Sequence, residues 1–295
     1  VVTRLPELPE VETMCRGIAP VVGRTIVAAG RLPCQRRPIA VTPGPASWKS
    51  RVVGQKIERV DRVGKRVVLV LENRDRIVFE PRMTGLVLLA EPPSDDHLRF
   101  HLDVSTRRSP LQLRFWDRRG LGSVRLYSAQ EFETAFQSGK IGPDALAVSA
   151  AQLKACFANC RQAIKPALLD QKRLAGVGNL YASELLFLAQ VHPAIRCDQL
   201  TDSQWAAIHK MMLKVLRTAI RYEGSTLGDG TYRNALNKAG GYQNQHRVYD
   251  RAGLPCPVCG ASIERFVQTQ RATFFCPVCQ RDQVGQLEDA KTWES

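Results

Sequence analysis

The sequence contains no apolar run approaching the roughly 18–20 residues that a membrane-spanning helix needs. Its first twenty residues hold no short apolar core of the kind a secretory signal carries. It has no internal repeat and no low-complexity tract. These absences argue against a membrane-spanning helix, an export leader and a repeat array, and the expectation is a soluble intracellular protein. Negative charge is the other shortage. Lys and Arg number 42 against 28 Asp and Glu, a formal net charge of +14. A chain this basic is expected to meet a polyanion, and nucleic acid is favoured over an anionic membrane.

What is present is ordinary for a globular protein. The chain has 295 residues, 44% of them hydrophobic, which is enough for about two domains with separate cores. Residues 10–22 read as a short helix with Val11, Met14, Ile18 and Val22 on one face. From about 25 to 127 the chain reads as strands. "KRVVLVLE" (65–72), "RIVFE" (76–80), "GLVLLA" (85–90), "LRFHLDV" (98–104) and "LQLRFW" (111–116) are short, β-branched or aromatic, and separated by turn signals. Strands of this length and spacing predict a β-sandwich or barrel. "SGKIGPDAL" (138–146) marks a linker, and residues 149–223 read as helical. In "DSQWAAIHKMMLKVLRTAIRYE", Trp205, Ile208, Met212, Val215, Leu216 and Ala219 keep the helical period, which is expected to be core. Residues 224–245, rich in Gly, Asn, Thr and Tyr, form a long loop of the kind that tends to be functional.

Nine cysteines in such a chain are thiols or metal ligands rather than disulfides. Cys15, Cys34, Cys156, Cys160 and Cys197 lack ligand spacing and are assigned to packing. The other four form two C-x-x-C knuckles, Cys256/Cys259 and Cys276/Cys279, sixteen residues apart. That interval fits a β-hairpin. Four thiolates favour one tetrahedral Zn²⁺ and leave no open position for water, so the site is expected to be structural. Arg271 then stands on the hairpin, available to a phosphate. "GVG" immediately before Asn179 and a strongly helical run is a candidate phosphate-binding helix start, with Asn179 as the cap.

In combination these pieces resemble a known family. "PELPEVET" (6–13), "GKRVVLVL", "MTG" (83–85), "GPDAL", "AIKPALLDQKRLAGVGNLYASELLF", "GGYQNQHRVYDRAGLPCPVCG" and "QRATFFCPVCQR" are similar to the bacterial formamidopyrimidine-DNA glycosylases, which excise oxidised purines such as 8-oxoguanine. The opening "PELPEVET" resembles this branch more than the related endonuclease VIII branch, which handles oxidised pyrimidines. The resemblance implies an α+β chain of several domains. These are an N-terminal catalytic β-sandwich (1–137), a linker (138–148), a helix–two-turn–helix domain with a lesion-recognition loop (149–245), a four-cysteine zinc-finger β-hairpin (246–281) and a polar tail (282–295). It implies a monomer acting on double-stranded DNA that carries oxidised bases or abasic sites, in the bacterial cytoplasm at the nucleoid.

The resemblance also assigns residues. Pro6 is the implied nucleophile, forming an imine with C1′ of the damaged nucleoside, after which β- and δ-elimination cut the strand. Glu7 is the adjacent acid/base. Lys65 holds the phosphate beside the lesion and assists β-elimination. Arg271 binds phosphate and assists δ-elimination. Asn179 is a phosphate ligand, Arg161 a basic DNA contact, and Glu184 a wall of the base pocket. Met83, Arg119 and Leu121 fill the gap left by the extruded base. Here the chain departs from the family, whose usual "DPRRFG" has become "DRRGLG" (117–122). Gly120 replaces an arginine and Leu121 an aromatic wedge. Glu80 and Asp95 stand where the family commonly has histidines, with Arg82 and His97 nearby.

Two other functions stay open on sequence: a zinc-dependent damage-binding protein without catalysis, and a glycosylase for oxidised pyrimidines. The discriminating feature is the Pro6 nitrogen, which reacts only as a free amine. Leu5 stands where the family has its initiator methionine, and leucine and valine can be literal readings of alternative start codons. The expectation is that initiation at position 5 and methionine removal expose Pro6.

Overall fold

A computed structural model describes residues 6–34, 36–106, 109–137, 139–226 and 232–281. The leading "VVTRL" and the tail 282–295 lie outside the described residues. By internal contacts the described chain forms two units, 6–140 with 219–243, and 141–218 with 244–281.

The first unit opens with α1 (Leu8–Gly17), earlier than the apolar period predicts. Pro9 sits in the first turn, where a missing N–H costs nothing, and Glu7 caps the helix. The helix stops at Gly17. Val11, Met14 and Ile18 are fully buried, but Val22 lies beyond the helix and is exposed. Nine strands follow among the described residues: β1 (Thr25–Arg31), β2 (Ala40–Thr42), β3 (Ile57–Val63), β4 (Arg66–Leu71), β5 (Arg76–Glu80), β6 (Gly85–Leu88), β7 (Leu98–Thr106), β8 (Ser109–Asp117) and β9 (Ser123–Tyr127). They make two sheets, ordered β1-β7-β8-β6 and β2-β9-β5-β4-β3. All pairings are antiparallel except the short β2–β9 edge. Alternating residues of both sheets, with α1 and Trp48 of α2 (Pro45–Arg51), bury one apolar core, giving the expected sandwich. Tyr232 and Ala235 belong to that same core. At Gly17 an added Cβ would clash with Ala235, so α1 and residue 235 approach as closely as backbones allow. A smaller cluster of Val68, Val70 and Val78 on the outer face of the second sheet is covered by α3 (Ala129–Phe136).

The second unit is built from α4 (Ala150–Cys156), α5 (Ile164–Leu168), α6 (Asn179–Leu188) and most of α7 (Asp202–Arg221). In α6, residues 179–187 are all buried, as an evenly apolar helix requires. The α7 stripe from Trp205 to Ala219 is core as expected, and Trp205 stacks on Phe157 at 5.4 Å. The hairpin β10 (Glu264–Gln268)–β11 (Arg271–Phe275) completes the unit. Its two-residue turn, Thr269-Gln270, has both φ positive, the conformation that matches strand twist. Among the packing cysteines, Cys15, Cys160 and Cys197 are buried and Cys34 and Cys156 half-buried. Burial pushes the Cys15 thiol up to about 12, which keeps it inert.

Candidate functional site

Pro6 and Glu7 are both buried at the head of α1. A reciprocal capping box holds Glu7: its N–H donates to Glu10 Oε2 at 2.9 Å, and its side chain takes the N–H of residue 10. The other oxygen of Glu10, itself buried, accepts the Ser225 N–H at 2.9 Å. Glu10 thus ties the N-terminal helix to the segment predicted as a long loop. That segment is well tethered on both sides of residues 227–231. Tyr232 Oη donates to the Glu223 carbonyl at 3.0 Å and Thr226 Oγ1 to the Tyr232 carbonyl at 2.7 Å. Sequence pattern does not single out Glu10, because a partner over two hundred positions away leaves no local signal.

Lys65 occupies the β3–β4 turn and is half-buried. Met83, Arg119 and Leu121 lie in the same unit, and the first two are in contact. Met83 is half-buried in the turn before β6, Arg119 is exposed after β8, and Arg119 Nη1 lies 3.0 Å from Met83 Sδ. Gly120 has φ +63°, and a Cβ there would meet the Arg37 carbonyl oxygen well inside 3.0 Å. The glycine is therefore demanded by the backbone. Glu80 is clamped by Arg66 at 3.0 Å and by Arg82 at 3.2 Å, so both cations are shared with it. Asp95 is exposed, while His97 packs edge-on against Trp116. Burial, then the Arg99 charge, hold the His97 imidazole below its ordinary value, so it is neutral near pH 7.

In the second unit the helix start differs from expectation. Gly178, not Asn179, is the N-cap of α6, and Asn179 is its first helical residue. Freed from capping, the buried Asn179 amide reaches the zinc hairpin: its Oδ1 accepts from Lys165 Nζ at 2.7 Å, and its Nδ2 donates to the Ala272 carbonyl at 3.1 Å. Lys165, also buried, donates further to the Ala272 carbonyl at 2.9 Å and to Thr273 Oγ1 at 2.8 Å. This network fastens the hairpin one residue from Arg271. Sequence does not single out Lys165 either; in "AIKPALLD" it reads as an ordinary surface lysine. Arg271 stands at the start of β11, half-buried. Arg161 is exposed in the segment before α5. Glu184 does not line an open wall. It is fully buried and accepts the N–H groups of Arg247, Val248 and Tyr249 at 2.9–3.0 Å. Burial raises its carboxyl above the ordinary range, and those N–H groups pull the other way.

The Sγ atoms of Cys256, Cys259, Cys276 and Cys279 all lie within 4.8 Å of one another, with pairs at 3.4 and 3.9 Å. Tetrahedral zinc with Zn–S of about 2.3 Å needs sulfurs about 3.8 Å apart. The Val258 and Cys279 N–H groups each donate to a cysteine sulfur at 3.4 Å, which favours thiolates. The donor set fits one structural zinc.

Comparison with known proteins agrees with this geometry. The formamidopyrimidine-DNA glycosylase N-terminal domain profile matches residues 5–124, the H2TH domain profile of the same enzymes 141–230, and a zinc finger found in FPG and IleRS 253–281. The chain is 41% identical over 281 residues to the formamidopyrimidine-DNA glycosylase of Chloroflexus aggregans, covering 94% of this chain and 98% of that protein. It superposes with a TM-score of 0.83 on a Lactococcus lactis FPG mutant in complex with Fapy-dG-containing DNA, at 32% identity over 94% of this chain and all of that one. A similar fit, TM-score 0.80 at 34% identity, relates it to the Thermus thermophilus MutM (FPG) protein, over 93% of this chain and 98% of that one. With Glu7 capping α1, the three domain matches in order along the chain and the four-cysteine hairpin in place, the chain belongs to the formamidopyrimidine-DNA glycosylase family.

Proposed function

We propose that the protein is a base-excision DNA glycosylase with AP lyase activity, removing oxidised purines from duplex DNA through Pro6. The observation that carries this reading is the buried Pro6-Glu7 pair at the head of α1, with Glu7 held by the capping box. The Pro6 nitrogen, as a free secondary amine, attacks C1′. The bond to the base breaks and the base leaves with its electron pair. Glu7 protonates O4′ as the sugar ring opens, the proline nitrogen loses its proton, and a cationic imine forms. The imine draws electrons from C2′, so the 3′ and then the 5′ phosphate depart by β- and δ-elimination. Lys65 and Arg271 hold the two phosphates, and Asn179 and Arg161 add contacts on the second unit. Met83, Arg119 and Leu121 restore packing where the base has left, whose unstacking costs a few kcal/mol. Zinc supplies no chemistry; it keeps the Arg271 hairpin rigid.

An amide nitrogen has no usable lone pair, whereas an N-terminal amine, with a pKa of about 8, has a reactive neutral fraction near pH 7. This chemistry therefore requires Pro6 to carry a free amine, with residues 1–5 removed. The protein acts on the nucleoid, in the cytoplasm. No described helix is long and apolar enough to cross a membrane.

Borohydride trapping tests this on duplexes carrying 8-oxoguanine, an abasic site or an oxidised pyrimidine. Protein beginning at Pro6 should form an adduct that peptide mapping places on Pro6, fastest with 8-oxoguanine among the damaged bases. Protein retaining residues 1–5 should bind without an adduct. Binding without trapping in both would leave a damage-binding protein, and an adduct on Lys65 would replace the nucleophile.

A further inference from the structure

The loop that carries Arg119 and Leu121 is held by a single buried carboxylate. Asp117 ends β8 with no solvent exposure. Its Oδ1 accepts the Thr84 hydroxyl at 2.5 Å and the Arg119 N–H at 3.2 Å, and its Oδ2 accepts the Gly122 N–H at 2.7 Å. The Arg119 N–H also reaches Thr84 Oγ1 at 3.0 Å. The main-chain oxygen of Asp117 accepts from Nε of the buried Arg99 at 2.9 Å. One oxygen thus holds the start of the loop and the other its end. The hydroxyl next to Met83 joins the two segments that supply the gap-filling side chains.

We propose that Asp117 is the positioning residue of this loop. Through Thr84 and the Arg119 and Gly122 amides it sets where Arg119 and Leu121 stand relative to Met83, and so governs how the base opposite the lesion is read. The inference rests on the function proposed above.

The chemistry favours a carboxylate at this position and nothing similar. Burying a charge is costly unless it is hydrogen-bonded, and breaking such a set by removing one partner costs more than any single bond in it contributes. Both oxygens must accept at once. An asparagine offers one acceptor and one donor, so its amide nitrogen must stand either against the Gly122 N–H or against the Thr84 hydroxyl and the Arg119 N–H, and in both orientations the present set of bonds is broken. The loop has no slack to absorb that. Gly120 is left-handed, and a Cβ at Gly122 would lie 2.8 Å from Phe115 Cζ and 2.9 Å from the Glu80 carbonyl oxygen. A shift at either end of the loop must therefore appear at its tip, where Arg119 lies against Met83. Fixing a polar reader in one geometry is what lets it discriminate between bases.

The test is the ratio of excision rates with cytosine and with adenine opposite 8-oxoguanine. It is measured for protein beginning at Pro6 and for its Asp117→Asn, Thr84→Val, Thr84→Ser, Arg119→Ala and Asp117→Asn/Arg119→Ala variants. Asp117→Asn and Thr84→Val should lower the ratio at least about fivefold, and Thr84→Ser, which keeps the hydroxyl, should restore it to within about twofold. Asp117→Asn should lower it no further once Arg119 is alanine. A folded Asp117→Asn variant with the parent ratio, or effects that multiply in the double variant, would overturn the proposal. If Asp117→Asn does not fold, the valine–serine pair at Thr84 makes the same comparison, and equal ratios there refute it. If the parent protein excises no base, the proposed function has failed instead. Positioning is then read by the fluorescence of 2-aminopurine opposite an abasic site in bound duplex. A change on binding the parent that persists in Asp117→Asn would refute the role, and its loss would support it.

Discussion

Restoring an arginine at position 120, to match the usual family sequence, should damage this protein rather than improve it. The cleanest perturbation is Gly120→Ala, which adds only a Cβ. Gly120 has φ +63°, where an L-residue costs about 1–2 kcal/mol. The new Cβ would meet the Arg37 carbonyl oxygen and carbon and the Arg37 Cβ, two of them backbone atoms that cannot swing aside. Forcing such a contact into a packed site costs about 1–3 kcal/mol. The alanine recovers about 0.4–1 kcal/mol by restricting the unfolded chain. The balance is a destabilisation of about 1–5 kcal/mol, or roughly 2–20 °C in Tm at 2–4 °C per kcal/mol for a unit of this size. Calorimetry of the full chain should show the loss, and Gly120→Arg should lose at least as much. A Tm for Gly120→Ala within about 1 °C of the parent would refute both the left-handed backbone and the crowding at Arg37.

Lys165→Met should destabilise the second unit by about 2–4 kcal/mol. Three hydrogen bonds from a charged group, at about 1.5–3 kcal/mol each, are partly offset by relief of the several kcal/mol that a buried ammonium costs; urea denaturation followed at Trp205 would measure it. Chelation, or Cys259→Ser, should sharply weaken DNA binding while the two-sheet unit stays folded; unchanged affinity in verified metal-free protein would contradict a zinc-held hairpin. Lys65→Ala and Arg271→Ala should each reduce the salt slope of DNA binding by about 1, almost independently of sequence. Unaltered slopes in titrations at several salt concentrations would remove both from the phosphates.

The sheets and the metal site were legible because their signals are local. "RIVFE" is strand β5 as read, and the knuckle spacing alone brings four sulfurs together. Buried polar residues were not legible. Glu184 and Lys165 look like surface residues in a helical stretch, and only the distant N–H groups of 247–249 and the acceptors at 272–273 explain their burial. Asn179 misled for a related reason. Asn is a good cap by propensity, but Gly178 takes that place and the amide is used across the unit. At Gly120 the departure from the usual family motif was visible, while its cause, a left-handed turn against Arg37, is a matter of backbone path.

The place of Tyr232 and Ala235 in the sandwich core bears on how the protein is made. A ribosome finishes both sheets by residue 127, yet the core still lacks Tyr232, and Glu10 still lacks the Ser225 amide. The missing segment emerges roughly a hundred residues after residue 127, about 5–20 s later at bacterial elongation speeds. Until then the nascent sandwich has an unfilled seam along α1, the helix that Pro6 and Glu7 head. Closing it is a contact of high sequence separation, slow by topology. The head of α1 therefore reaches its final setting only after most of the helical unit has been synthesised, and a fragment ending near residue 140 should expose apolar surface that the full chain hides.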